Sequence, residues 1–229
     1  AALGSNIKII SLNVLLKILS NIWQTQTQYL NTTVANKINI VMIEHFLLPD
    51  LIVDKYSLEK RVYDQYHTWG HFGTGRFKFY TGDADNETLD IVDSIFKDAD
   101  QLISAVAYNL VNPHGIIGPH SDYGRGCAIN IPISGDFKNS SLDSYEYTPP
   151  VKVASPAERF KDIPESLFYP HSELEAQLNY EVPICFDTRD PHGVTNSSSV
   201  ARFILGVTFN EEFTVSSLNT MYKKGQLLK

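Results

Sequence analysis

The sequence is poor in cysteine, in long apolar runs and in positive charge. Its two cysteines, Cys127 and Cys185, are too few for a disulfide framework and form no CxxC pair for zinc, so we expect two reduced, buried thiols in a cytoplasmic protein. No apolar run reaches the roughly 18 residues that a membrane-spanning helix needs, which argues against a membrane protein. The 19 Lys and Arg against 26 Asp and Glu give a net charge of −7, so an extensive nucleic-acid surface is not expected.

The length of 229 residues, with 43% hydrophobic and 20% charged residues, is typical of a globular protein with one sizeable domain. The residue pattern divides the chain into an N-terminal helical extension at 1–36, a main domain at 37–215 and a C-terminal tail at 216–229. We expect the extension to pack over the outside of a sheet, with a homodimer contact as the alternative.

The main domain changes from helical to extended patterns near residue 104. Helical spacing of apolar residues predicts helices at about 49–62 and 87–102. The polar stretch 135–180 is too long for one loop and is predicted to be an insertion near the mouth of a site. This order favours an α+β fold with a jelly roll and with helices packed on one sheet. Strands are predicted at 104–111, 116–122, 127–134, 182–188, 193–195 and 200–209.

The segment His120-Ser121-Asp122 is the first candidate site. Residues i and i+2 of a strand face the same side, so the imidazole of His120 and the carboxylate of Asp122 are directed to one point. His192 is the candidate third member of this set. Two histidines and one carboxylate form the facial arrangement that suits Fe(II) and leaves coordination positions open.

A second candidate feature is Arg202, which follows His192 after a turn-forming segment at 196–199. A hairpin centred on position 197 would place His192 and Arg202 opposite each other on paired strands. A guanidinium beside a metal site fits a dicarboxylate that chelates the metal through one end and pairs with arginine through the other. That is the shape of 2-oxoglutarate.

Together, the HSD motif at 120–122, His192 and Arg202 resemble the Fe(II)/2-oxoglutarate-dependent dioxygenases, in particular their prolyl-hydroxylase-like and aspartyl/asparaginyl-hydroxylase-like branches. The resemblance implies a double-stranded β-helix core of jelly-roll, cupin-like form, with Fe(II) as cofactor and with 2-oxoglutarate and O₂ as cosubstrates. One position departs from the family pattern, because many members carry Arg-x-Ser or Arg-x-Thr where this chain has Arg202-Phe203-Ile204. Any second hydroxyl contact to the cosubstrate must therefore come from elsewhere.

Two more polar residues, Tyr108 and Asn130, have the strand parity to face the interior of the core. Either residue could hydrogen-bond the carboxylates of 2-oxoglutarate, and either could equally be a satisfied buried polar group. Asp187 and Arg189 flank His192, so they either orient its ring or form an ion pair with each other.

The expected function is that of a 2-oxoglutarate-dependent non-haem iron oxygenase, a hydroxylase of a peptide side chain or a small molecule. Such an enzyme couples substrate oxidation to the decarboxylation of 2-oxoglutarate to succinate. Two other classes fit parts of the pattern: a non-catalytic cupin-like module that binds a metal or ligand, and a zinc hydrolase that uses the same two histidines and carboxylate. Arg202 is unexplained by the hydrolase, and the intact set of two histidines and a carboxylate disfavours the non-catalytic module.

Overall fold

The fold is that of a computed structural model, which describes residues 43–122, 125–153 and 166–229. The predicted N-terminal helical extension at 1–36 lies outside the described residues. None of the helices in the described ranges is both long and apolar enough to cross a bilayer. These helices are α1 (Lys55–Gln65), α2 (Asn86–Ile95), α3 (Ala99–Leu102) and α4 (Val215–Lys223).

The strands of the described residues form two antiparallel sheets. The larger sheet has the order β1-β11-β6-β13-β4-β3-β2, and the smaller has the order β10-β7-β12-β5-β9-β8. The strands are β1 (His45–Leu47), β2 (Gly70–Phe72), β3 (Phe79–Asp83), β4 (Ile103–Val111), β5 (Ile116–Ser121), β6 (Cys127–Ser134), β7 (Ser140–Tyr145), β8 (Val151–Val153), β9 (Ser166–Phe168), β10 (Leu174–Asn179), β11 (Ile184–Asp187), β12 (His192–Asn196) and β13 (Arg202–Phe209).

Eight of these strands form a jelly roll. Strands β4, β6, β11 and β13 lie in the larger sheet, and β5, β7, β10 and β12 lie in the smaller one, so the chain crosses repeatedly between the two sheets. Each neighbouring pair among the eight is antiparallel. This arrangement confirms the predicted α+β fold with a jelly-roll core.

The polar stretch 135–180 is not a single insertion. It contains β7 and β10, which are core strands of the smaller sheet. Within the described part of this stretch, the strands added to the jelly roll are β8 and β9, which pair with each other and extend the smaller sheet beside β5. The prediction of one insertion was therefore wrong for the two ends of the stretch and consistent with the structure only in its middle.

The two faces of the larger sheet have different roles. On β6, Ile129 and Ile131 face the helices, whereas Ala128 faces the smaller sheet, because successive side chains of a strand alternate. The helix-side core includes Leu58 of α1, Val92 of α2, Leu218 of α4 and Leu205 of β13. The space between the sheets is lined by a second cluster: Ile43, Ala128, Phe137, Leu142, Tyr180, Ile184, Phe186 and Ile204.

Residues 216–229, predicted as a C-terminal tail, are part of the packed fold. Thr214 caps α4 by accepting a hydrogen bond from the Ser217 backbone, and the Ser217 side chain bonds back to the Thr214 backbone. Leu218 and Leu227 are fully buried in the helix-side core. The end of the chain therefore helps to cover the larger sheet.

Cys127 and Cys185 lie on the neighbouring strands β6 and β11 as buried free thiols. Burial, together with a hydrogen bond from the Cys127 thiol, raises the pKa of Cys185 well above its ordinary value. Both side chains belong to the helix-side core. They therefore lie on the opposite face of the larger sheet from the space between the sheets.

Candidate functional site between the two sheets

His120 and His192 meet at the centre of the smaller sheet. Strands β5 and β12 pair antiparallel, and His120 lies directly opposite His192 in that pairing. Their ring centroids are 4.4 Å apart. A register shift between His192 and Val194 brings the two imidazoles together, since it re-aligns the strands at this point. The structure thus joins two of the three predicted metal-binding residues.

Both histidines have one ring nitrogen fixed by the backbone. Nδ1 of His120 lies 2.8 Å from the Gly118 carbonyl oxygen, and Nδ1 of His192 lies 2.9 Å from the Asp190 carbonyl oxygen. A carbonyl oxygen only accepts hydrogen bonds, so each Nδ1 carries the proton. In the neutral form of each ring, Nε2 then carries the free lone pair, as in a metal-binding imidazole whose other nitrogen is held in place.

The pKa of His192 keeps its ring neutral at neutral pH. The side chain is buried, and this burial lowers the pKa of His192 to about 4, with a further contribution from the charge of His120. The nearby Asp122 carboxylate acts in the opposite direction and does not compensate for the burial. His192 is therefore available as a neutral ligand without first losing a proton.

We expect the metal-free protein to lose stability as the pH falls from 6.5 to about 4, the ordinary and the native pKa of His192. In that window the unfolded chain binds a proton that the folded chain does not, which favours unfolding by up to roughly 3 kcal/mol. Urea unfolding of wild type and His192→Asn across this range measures the effect. The variant should show a flatter dependence on pH, and an unchanged slope would contradict the assignment to His192.

Asp122 follows directly after β5. Its backbone N–H donates to the Thr188 carbonyl oxygen at 2.8 Å, which places it beside the residues that lead into β12. Its carboxylate oxygen Oδ2 accepts a hydrogen bond from Nη1 of Arg125 at 3.4 Å. Burial raises the pKa of Asp122, but the charge of Arg125 together with the neighbouring histidines outweighs this effect, so the pKa is lowered and the carboxylate is ionised.

In the described ranges, no three His, Cys, Asp or Glu side chains are close enough together, as they stand, to hold a metal ion. The chemistry of the donors nevertheless fits a divalent metal, because two imidazole lone pairs are free and the neighbouring carboxylate is ionised.

Arg202 is a buried cation between two aromatic rings. It is 1% exposed, and its guanidinium carbon lies 5.3 Å from the Phe137 ring centroid and 5.1 Å from that of Tyr180. Nη1 donates to the Ser141 carbonyl oxygen at 3.4 Å, and Nη2 donates to the Tyr180 hydroxyl. Nε has no hydrogen-bond partner, and among the described residues no carboxylate pairs with this guanidinium. Within the described part of the chain, this buried cation therefore has no carboxylate as counter-ion, which buried charges ordinarily have.

Asn130 lies on the same face of the larger sheet as Arg202, as its predicted role requires. Its side-chain amide donates to the Tyr180 hydroxyl at 3.5 Å. A Cβ atom added at Gly206 would lie 3.6 Å from the Asn130 Oδ1 atom and 3.4 Å from the Asn109 Nδ2 atom. Gly206 therefore leaves space between the side-chain amides of Asn109 and Asn130, on the face of the larger sheet that is directed to the smaller sheet.

Tyr108 lies on the other face of the larger sheet. Its hydroxyl is 2.6 Å from the Thr88 hydroxyl, and its ring stacks on Trp69 with centroids 5.5 Å apart. It pairs with Leu205, which belongs to the helix-side core, so strand alternation directs it away from Arg202. Tyr108 was predicted to face the interior of the core beside the site, but it faces the helices and is not part of the site.

The predicted hairpin between His192 and Arg202 was also wrong. β12 pairs with β5 and β7 in the smaller sheet, whereas β13 pairs with β4 and β6 in the larger one. The two residues consequently approach the same space from facing sheets. Asp187 and Arg189 form an ion pair with each other, in which Nε of Arg189 donates to Asp187 at 2.8 Å.

Tyr180 is the site residue that the sequence analysis missed. It follows the last residue of β10 in a stretch with no motif, and nothing in its spacing links it to Arg202. Only the fold brings its hydroxyl to the guanidinium and to Asn130.

Comparisons with known proteins give only remote structural likenesses. No family model matches the chain, and no curated protein matches it. EvdO2 from Micromonospora carbonacea var. aurantiaca, solved with 2-oxoglutarate, is 12% identical over 73% of this chain and 86% of its own, with a TM-score of 0.45. A prolyl-4-hydroxylase from Pseudomonas putida is 9% identical over 76% of this chain and 96% of its own, with a TM-score of 0.45.

A prolyl hydroxylase from Trichoplax adhaerens, solved with a hypoxia inducible factor peptide fragment, is 12% identical over 83% of this chain and 93% of its own, with a TM-score of 0.44.

Proposed function

We propose that the protein is an Fe(II)- and 2-oxoglutarate-dependent oxygenase. The observation that carries the proposal is the environment of Arg202, a buried guanidinium with an unpartnered N–H and no described counter-ion. Its ring neighbours Phe137 and Tyr180 belong to the same inter-sheet cluster as Phe186. Phe186 in turn contacts His192, with ring centroids 5.2 Å apart. An anion bound by Arg202 would therefore lie in the space that the two histidines face.

The metal ligands in this proposal are His120, Asp122 and His192. The two imidazoles offer their Nε2 lone pairs, because the backbone carbonyls of Gly118 and Asp190 hold each Nδ1. Asp122 offers an ionised carboxylate that interacts electrostatically with both histidines. Bound Fe(II) would supply the redox chemistry that activates O₂ while 2-oxoglutarate is decarboxylated to succinate.

The cosubstrate residues in this proposal are Arg202, Tyr180 and Asn130. Arg202 offers Nε as a free donor to the distal carboxylate, and its two other nitrogens are already oriented by Ser141 and Tyr180. The Tyr180 hydroxyl is the second contact that Ile204 cannot make. Neutralising a buried guanidinium with a carboxylate removes an uncompensated buried charge, which favours binding.

The substrate is proposed to enter from the opposite side of the histidines. In the smaller sheet, which has the order β10-β7-β12-β5-β9-β8, the histidines lie on β12 and β5. Arg202 contacts β7, which lies on one side of them. Beyond His120, at the β9 end, Phe168 lies with its ring centroid 6.0 Å from that of His120. Val151 pairs with Phe168 and is 52% exposed, so among the described residues this end carries an exposed apolar side chain. We propose that a peptide side chain or a small molecule is hydroxylated there.

The proposal is tested by loading the protein with Fe(II) and 2-oxoglutarate under nitrogen and recording the absorption of their complex. Admission of air should then release succinate from the Fe(II) protein and none from the Zn(II) protein, since zinc has no redox chemistry. A protein that binds 2-oxoglutarate without releasing succinate would be a binding module. A protein that hydrolyses esters or amides only when loaded with zinc would be a hydrolase.

A further inference from the structure

Arg125 is a charged residue beside the candidate metal site that the proposed function does not use. It follows Asp122 by three residues, and its Nη1 atom lies 3.4 Å from Oδ2 of the Asp122 carboxylate. Both side chains are partly buried, at 27% and 22% exposure. Among the described residues, Arg125 is the one side chain that donates to this carboxylate, and it contacts one oxygen only.

We propose that Arg125 determines how Asp122 binds a metal, by holding Oδ2 and leaving Oδ1 as the single ligand atom. The inference rests on the proposed function. A carboxylate binds a metal through one oxygen or through both, and the second mode occupies an additional coordination position. With Oδ2 engaged by a guanidinium, Asp122 would use one position and not two.

The consequence concerns the positions left open at the metal. Two histidines and a one-oxygen carboxylate leave room for a 2-oxo acid to chelate and for a further ligand. If Asp122 used both oxygens, the carboxylate would compete with the chelating end of 2-oxoglutarate. Arg125 would thus be a positioning residue for cosubstrate binding, although it touches neither the metal nor the cosubstrate.

The protein offers a matched control for the charge of Arg125. Arg189 is also an arginine close to the ligand set, since it lies three residues before His192. Its guanidinium pairs with Asp187 and not with Asp122. Removing Arg189 therefore changes the local charge by the same amount without freeing the Asp122 carboxylate.

The experiment loads the protein with Mn(II) and counts the metal-bound waters by proton relaxation. It then measures 2-oxoglutarate affinity by titration. The variants are Arg125→Met, which keeps a long side chain but has no donor, Arg125→Lys, which keeps one donor, and the control Arg189→Met. We expect Arg125→Met to bind Mn(II) with fewer exchangeable waters and to bind 2-oxoglutarate about tenfold more weakly. Arg125→Lys should retain the wild-type water count, and Arg189→Met should retain both properties.

Two results would overturn the inference. One is a wild-type water count and wild-type 2-oxoglutarate affinity in Arg125→Met. The other is an equal loss in Arg189→Met, which would show a general charge effect. Arg125→Gln replaces Arg125→Met if circular dichroism shows that the latter does not fold. If wild type itself binds Mn(II) but no 2-oxoglutarate, the proposed function fails, whereas the water counts still decide the role of Arg125.

Discussion

Asp122→Ala and His120→Ala are each expected to abolish stoichiometric Fe(II) binding while leaving a folded protein. Each substitution removes one of three donors from a site with no fourth protein ligand proposed, so we expect a loss of more than about 100-fold in affinity. Neither side chain belongs to the apolar clusters, so little packing is lost. Equilibrium dialysis against Fe(II) under nitrogen measures the loss, and thermal unfolding checks the fold.

His45→Ala is the matched control for these two variants. Nδ1 of His45 lies 2.9 Å from the carbonyl oxygen of Ile43, two residues earlier, so its ring is held in the same way as that of His120. His45 lies on β1 at the edge of the larger sheet, and no role in the site is proposed for it. It should bind iron as wild type does. Full-strength iron binding by both site variants would refute the metal assignment.

The core strands were predictable because their side chains alternate or form continuous apolar runs. Cys127–Ser134 was predicted with its observed bounds, and β4, β5 and β13 were predicted to within two residues at either end. In contrast, β7 has the sequence SSLDSY, whose polar residues read as a loop. Its Asp143 is fully buried, and hydrogen bonds from Ser141, Thr195 and Gln177 satisfy it. Such a network depends on partners far along the chain, so local patterns do not reveal it.

The error over the His192–Arg202 hairpin has a physical cause. A turn signal shows where the chain changes direction but not which sheet the next strand joins. Here the Asn196 side chain donates to the carbonyl oxygens of Val111, Asn112 and Val200. These bonds hold the connection that leads from β12 in the smaller sheet to β13, which pairs in the larger sheet. His192 and Arg202 do approach the same space, although the hairpin geometry inferred from their spacing was wrong.

The two tyrosines show the limits of strand parity as evidence. Tyr108 lies in a strand that has apolar residues on both faces, such as Val106 and Val111, so parity alone did not decide its direction. Tyr180 lies outside the strands and was found only through its contact with Arg202. The departure from the family pattern at Ile204 implied that any second hydroxyl contact comes from elsewhere in the chain, and Tyr180 is the candidate that the fold supplies.

Arg202→Ala is expected to weaken 2-oxoglutarate binding by about 2–5 kcal/mol, because the distal carboxylate would then be buried without its partner. Arg202→Lys keeps the charge but loses the planar fork and the Nε donor, so its loss should be smaller. Iron affinity without cosubstrate should stay near that of wild type in both variants, since the guanidinium is not a ligand. The measurement is 2-oxoglutarate titration of the Fe(II) or Mn(II) protein under nitrogen.

Tyr180→Phe separates cosubstrate binding by Arg202 from a purely structural role for this buried arginine. The variant keeps the aromatic ring that packs against the guanidinium and removes the hydroxyl that accepts from Nη2 and from Asn130. If Arg202 binds the cosubstrate, the loss of its orienting partner should weaken 2-oxoglutarate binding by about 1 kcal/mol and leave iron binding unchanged. If Arg202 only holds the sheets together, Arg202→Ala should lower the unfolding temperature and leave the affinity of the remaining folded protein for 2-oxoglutarate intact. That second outcome would remove the cosubstrate assignment even if the metal site is confirmed, and a zinc hydrolase or a non-catalytic binding module would then explain the site better.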